Sequence, residues 1–260
     1  MKRVWLLATL IGAGGLSLAV AAFQAPPPPA GPTPAALSAT KIEKVKDNLY
    51  VTDKPITTII NTHTHGDHTG SNEFFGATVE SIVHENTKAN MEKMDAFKGD
   101  KAKFLPKKTY KDRMSIGKGK DQIDLYHFGP GHTNGDTFVV FRALRTMHAG
   151  DMFPWKDAPF IDRTNGGSGV EWPKTLAKVL SGVKNVDTVI GGHLPVAAWK
   201  DLQTFQQYTA DLSAQTEAAM KAGKSVDEAV ATVNFSKYQG FESVRLKAAV
   251  QAIYDELGKK

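Results

Sequence analysis

The chain has 260 residues, 41% of them hydrophobic and 23% charged, which suits a globular protein with room for one sizeable domain. It has no cysteine, and this excludes disulfides, thiolate metal ligands, a cysteine nucleophile and lipoprotein attachment. The formal charge of +5 includes Lys2 and Arg3 of a leader, and the remainder is too mild to argue for nucleic acid as a partner.

Residues 1–25 begin with Lys2 and Arg3, continue through an apolar stretch from Val4 to Ala22, and offer Ala19-Val20-Ala21 as a cleavage pattern. This predicts a signal peptide, hence a periplasmic or secreted protein with no stable membrane insertion after cleavage. An uncleaved anchor is the alternative, because the apolar run is nearly long enough to span a bilayer. Gly12, Gly14 and Gly15 argue for cleavage. Residues 26–40, with Pro26 to Pro29, Pro32 and Pro34, read as a stiff extended linker. No second linker and no repeat of solenoid period follow, so residues 41–260 are expected to form one domain.

Alternating or β-branched runs predict strands at Lys41–Tyr50, Thr57–Asn61, Thr78–Val83, Gln122–Phe128, Thr137–Phe141, Thr146–Ala149 and Val186–Ile190. Helices are expected at Thr69–Phe75, Glu85–Phe97 and Glu171–Leu180, where Pro173 is tolerated in the first turn. The carboxyl-terminal part reads as helical, with a stripe of Leu202, Phe205, Leu212 and Met220 and further helices at Ser225–Val233 and Ser243–Leu257. Residues 98–120 are lysine-rich and loop-like, a solvated surface in preference to an anion-binding patch. Residues 152–170 form a long irregular loop. Strands alternating with helices place the chain in the α/β class.

The run Asn61-Thr62-His63-Thr64-His65-Gly66-Asp67-His68 concentrates three of the eight histidines beside an aspartate, directly after a strand. Imidazole and carboxylate are ligands that zinc and similar cations accept. Three more candidates stand after predicted strands and beside glycine: His132, Asp151 and His193. His84, His127 and His148 lack that setting and read as core or supporting residues. Gly166-Gly167-Ser168-Gly169 does not have the spacing of a serine-hydrolase elbow.

H-x-H-x-D-H, a G-x-x-H turn, G-D and G-H, in that order over residues 61–193, resemble the metallo-β-lactamase superfamily, and within it the histidine-rich hydrolases without a cysteine ligand. The resemblance implies an αββα sandwich of two mixed β-sheets flanked by helices, with a two-metal site along one edge. It implies two zinc ions per chain, with iron or manganese as alternatives. His63, His65 and His132 would hold the first; Asp67, His68 and His193 the second; Asp151 would bridge them. The reaction implied is attack on a small-molecule ester, lactone, thioester or amide, β-lactams included, by a hydroxide shared between the cations. Asp67 would also be catalytic, orienting the nucleophile or passing a proton to the leaving group. Phe153, Trp155 and Phe160, with Asn165, Gly166 and Gly167 as donors, would either wall the substrate pocket or simply pin a long loop, and Lys200 is a candidate for an anionic substrate group. An iron-dependent sulfur dioxygenase-like enzyme, or a catalytically impaired binding protein, are the alternatives. The oligomeric state is not legible.

The resemblance breaks at the amino end. Such proteins usually place two or more strands and a helix between a strand like Asn48-Leu49-Tyr50-Val51 and the histidine loop. Here Thr52-Asp53-Lys54-Pro55-Ile56 follows almost at once. The first sheet is therefore expected to lack amino-terminal strands and to expose an edge.

Overall fold

The structure, a computed structural model, describes residues 56–258. The leader, the linker and the strand expected at Lys41–Tyr50 lie outside the described residues. Strand β1 (Thr58–Ile60) runs into the histidine loop, followed by the one-turn helices α1 (Gly66–Thr69) and α2 (Asn72–Phe75). Then come β2 (Glu80–His84), α3 (Glu85–Met91), β3 (Lys108–Tyr110), β4 (Arg113–Ile116), β5 (Ile123–Tyr126), β6 (Phe138–Phe141) and β7 (Thr146–Gly150). The chain ends with α4 (Trp172–Gly182), β8 (Thr188–Gly191), β9 (Ala197–Ala198), α5 (Trp199–Lys221), α6 (Val226–Thr232) and α7 (Leu246–Leu257).

Two sheets result, one in the order β1-β2-β3 and one in the order β4-β5-β6-β7-β8-β9. The larger is mixed, with β7 and β8 parallel and its other neighbours antiparallel. The smaller is parallel over its described strands. Helical crossovers after β1 and after β2 return the chain to the same end each time, and this forces parallel pairing.

Period-two alternation sorts each strand between two apolar layers. Ile60, Ile82 and Tyr110 of the small sheet meet Leu125, Val139 and Phe141 of the large one. The other face of the large sheet, through Phe138, Val140, Met147 and Val189, packs on Trp172, Leu176, Leu202, Phe205, Val250 and Ile253 of α4, α5 and α7. Val83 on the outer face of the small sheet packs on Met91 of α3 and on Phe97. The layers are helix, sheet, sheet, helix.

The lysine-rich stretch is where the structure departs most from the loop expectation, because it contains β3 and β4. Both are edge strands whose basic residues occupy the exposed positions, the usual way an edge is protected from further pairing. Lys101, Lys108 and Arg113 pair with Glu73, Glu80 and Asp124, in keeping with a solvated surface. At the other margin of the small sheet, β1 pairs only with β2 among the described residues.

Candidate metal centre

The carboxyl ends of β5, β7 and β8 point the same way, and the loops leaving them and β1 carry all seven candidate ligands. The loop after β1 is fixed by buried amides. Asn61 and Asn72 exchange side-chain hydrogen bonds at 3.0 Å, and Asn61 also donates to the His68 carbonyl at 2.9 Å. Thr137 N donates to Thr62 O at 2.8 Å, tying this loop to the large sheet.

His63, His65, His68 and His132 are each oriented through the nitrogen they do not turn inward. His132 Nδ1 lies 2.7 Å from the Phe160 carbonyl, so it carries the proton and Nε2 is bare. His65 Nε2 lies 2.6 Å from Asp162 Oδ2, which leaves Nδ1 bare, 2.9 Å from His132 Nε2. Thr62 Oγ1 sits 3.2 Å from Nδ1 of both His63 and His68. Its two lone pairs can accept from both rings. Both Nε2 atoms are then bare, and both are buried without a hydrogen-bond partner, as is Asp151 Oδ1. Buried polar atoms are rarely left in this way unless something else satisfies them.

The donor atoms fall into groups whose members lie within 4.8 Å of one another: His63, His65 and His132; Asp67, His68 and His193; and His63, His68 and Asp151. The last group takes one histidine from each of the other two. Asp151 Oδ1 is 3.2 Å from His68 Nε2, and Oδ2 is 3.2 Å from His193 Nε2 and 3.6 Å from His132 Nε2. Asp67 Oδ2 stands 3.3 Å from Nε2 of both His68 and His193. In the first group His63 and His132 are buried and His65 half-buried, whereas the second opens to solvent, with 56% of the Asp67 side chain and 40% of that of His193 exposed.

The electrostatics favour the ligating forms of His63, His132 and Asp151, and the protonated form of His65. Burial, then the neighbouring His132, His68 and His65, holds the His63 pKa well below its usual value. Burial pushes His132 down to about 4 against the pull of Asp151. Burial also lowers His65, but the hydrogen bond to Asp162 together with the charges of Asp162, Asp151 and Asp67 raises it. Burial raises the Asp151 carboxyl, but the His68 contact and the charges of His132 and His193 hold it below the usual range. Neutral imidazoles and ionised carboxylates are the forms that bind cations. This donor set, with its orphaned buried atoms, fits two divalent metal ions.

His84, His127 and His148 stand outside these groups. His84 and His127 stack with ring centroids 3.9 Å apart, and His148 Nδ1 accepts from Gly150 N at 3.0 Å. Among the proposed pocket residues, Phe153 is fully buried against Phe205, so it is core and not wall. Gly166 N and Gly167 N donate to Arg163 O and Asp162 O, and Asn165 Nδ2 donates to Asp162, so none of the three faces a substrate. Trp155 and Phe160 do flank the centre: Trp155 lies 5.8 Å from the His193 ring, and Phe160 lies 6.0 and 5.8 Å from those of His65 and His132. Lys200 is exposed in the first turn of α5.

Sequence reasoning missed Thr62, the Phe160 carbonyl and Asp162. The signal for Asp162 was Asp-x-x-Asn-Gly-Gly, in which the carboxylate accepts from Thr164 N and Asn165 N in a local turn.

A profile of the metallo-beta-lactamase superfamily matches residues 30–198. A metallo-beta-lactamase type 2 of Elizabethkingia meningoseptica is 26% identical over 183 residues, 70% of this chain and 70% of that protein. Among solved structures, a metallo-beta-lactamase from Pontibacter korlensis superposes with a TM-score of 0.51 at 18% identity, over 61% of this chain and 71% of that one. The structure of TMB-1 superposes with a TM-score of 0.50 at 18% identity, over 60% and 69%. These two share the fold.

Proposed function

The chain belongs to the metallo-beta-lactamase superfamily and is a metal-dependent hydrolase, and from that premise we propose an exported enzyme with two zinc ions that cleaves an ester, lactone, thioester or amide, β-lactams included. The observation that carries this reading is the joining of two three-residue donor groups by Asp151. His63, His65 and His132 would hold one ion, Asp67, His68 and His193 the other, with Asp151 between them. Bound divalent cations supply a water of lowered pKa as nucleophile and a Lewis acid for the scissile carbonyl.

The chain's own residues do the rest. Asp67 turns Oδ2 towards His68 and His193, and its exposure leaves Oδ1 free to hold a proton and release it to the leaving group. Trp155 on the side of the second group and Phe160 on the side of the first offer apolar contact to the two halves of a substrate and exclude water between them. No helix among the described residues is long and apolar enough to cross a membrane. The leader composition supports export to the periplasm.

The test is metal content of the purified protein, followed by turnover of chromogenic lactam, lactone and thioester substrates. Two zinc per chain and turnover that disappears in His65→Ala and Asp151→Ala are expected. Undiminished turnover in both variants overturns the site. Iron in place of zinc shifts the chemistry to that of a sulfur dioxygenase-like enzyme.

A further inference from the structure

The two donor groups differ in how firmly their side chains are held. In the first, one loop orients two of the three rings: the Phe160 carbonyl takes His132 Nδ1–H at 2.7 Å, and Asp162 Oδ2 takes His65 Nε2–H at 2.6 Å. Asp162 is itself fixed at every polar atom. Oδ1 accepts from Thr164 N at 3.0 Å and Asn165 N at 3.1 Å, and Oδ2 also accepts from Asn165 Nδ2 at 2.6 Å. Its backbone N donates to His132 O at 3.0 Å, and its carbonyl accepts from Gly167 N at 2.7 Å. Gly167 has no room for a side chain, since an added Cβ would sit 2.3 Å from His132 O. The loop is therefore pressed against the backbone of one ligand while its carboxylate holds the ring of another.

We propose that Asp162 is the positioning residue of the first metal site. Its carboxylate fixes the His65 tautomer that leaves Nδ1 bare, aims that lone pair at the point where His63 and His132 converge, and makes the ring a stronger donor. Asp67 and His193 of the second group are half-open to solvent, so Asp162 makes the two sites unequal: the first fills before the second. The proposal rests on the two-metal reading above, and goes beyond it by assigning a residue outside the ligand set and an order of loading.

The experiment is a competition titration of the metal-free full-length protein with zinc against a chromophoric chelator, paired with visible spectra at one and two equivalents of cobalt. Wild type is expected to take up two equivalents, the first more tightly. Asp162→Ala should weaken the first equivalent by about 10- to 100-fold and shift the spectrum of the first cobalt bound, leaving the second equivalent within about threefold. Asp162→Asn keeps an acceptor for His65 but loses the charge, and should fall between them. If Asp162→Ala fails to fold by circular dichroism, the Asn variant decides. An unchanged first equivalent, or an equal weakening of both, overturns the role of Asp162. Wild-type protein that takes up no zinc overturns the two-metal reading itself.

Discussion

Histidine by histidine, the second ring nitrogen decides what the first can do. His84 uses Nδ1 to accept from Asn86 N at 3.2 Å, capping α3, so protonation there would break the cap. Burial, and then His127 stacked against it, push His84 down to about 4, with Asp112 and the Lys111 carbonyl pulling weakly the other way. The native ring stays neutral down to that pH, whereas an unfolded chain takes up the proton near 6.5. Between those values the unfolded state binds more protons, so stability falls as pH falls, by up to roughly 3 kcal/mol from this residue. His84→Asn keeps a capping acceptor and removes the titration. Its urea midpoint should drop less than that of wild type between pH 7 and pH 4.5, and equal drops would reject the assignment. The seven gathered donors were legible because four lie within six residues after a strand and the other three follow strands beside glycine. Thr62 and Asp162 were not, since a single polar residue has no period, and Asp162 reaches its ligand across 97 positions of sequence.

Elements were legible where they bury a regular stripe. The strands at β1, β5, β6, β7 and β8, and the helices at α4 to α7, appear close to their expected places. β3 and β4 were hidden because their exposed positions carry Lys108 and Arg113 and the strands are three and four residues long, too short for a pattern. The end of β7 is the element on which the centre depends most. Gly150 has φ +51°, and a Cβ there would lie 2.8 Å from Thr62 Cβ and 2.9 Å from Thr62 Oγ1. Gly150→Ala combines a left-handed backbone with displacement of the hydroxyl that orients His63 and His68, and should cost roughly 1–3 kcal/mol. Ser225→Ala removes the cap of α6, where Ser225 and Glu228 bond reciprocally, at a cost of about 1 kcal/mol. Urea unfolding should register both losses, but zinc titration should register only the first. Weakened zinc binding in Ser225→Ala would mean that the centre responds to any loss of stability.

At the scale of the molecule, the layered architecture followed from strand and helix alternation, but the reach of the small sheet did not. Over the described residues, three strands of that sheet face a larger neighbour of six. Ile116, Ile123 and Phe141 remain partly exposed, and a cavity of about 440 Å³ lies against Ile123, Phe141 and Ala143. Burial on the other side offsets this: α5 and α7, beyond the matched residues 30–198, bring Leu202, Phe205, Tyr208, Val250 and Ile253 into the main core. The small sheet also carries β1 and its histidine loop, so it holds half of the centre. Cations bridging the loop after β1 to His132, Asp151 and His193 would fasten the small sheet to the large one, and metal binding then becomes folding free energy. At free zinc 100-fold above Kd, one site adds about 2.7 kcal/mol. For a domain of this size that is an upward shift in Tm of about 5–11 °C. Chelation should reverse the shift, and His63→Ala, which removes a donor common to two of the three groups, should lose most of it. The measurement is thermal unfolding of both proteins with zinc and with chelator. Coincident wild-type midpoints would show that the two sheets hold together without the ions.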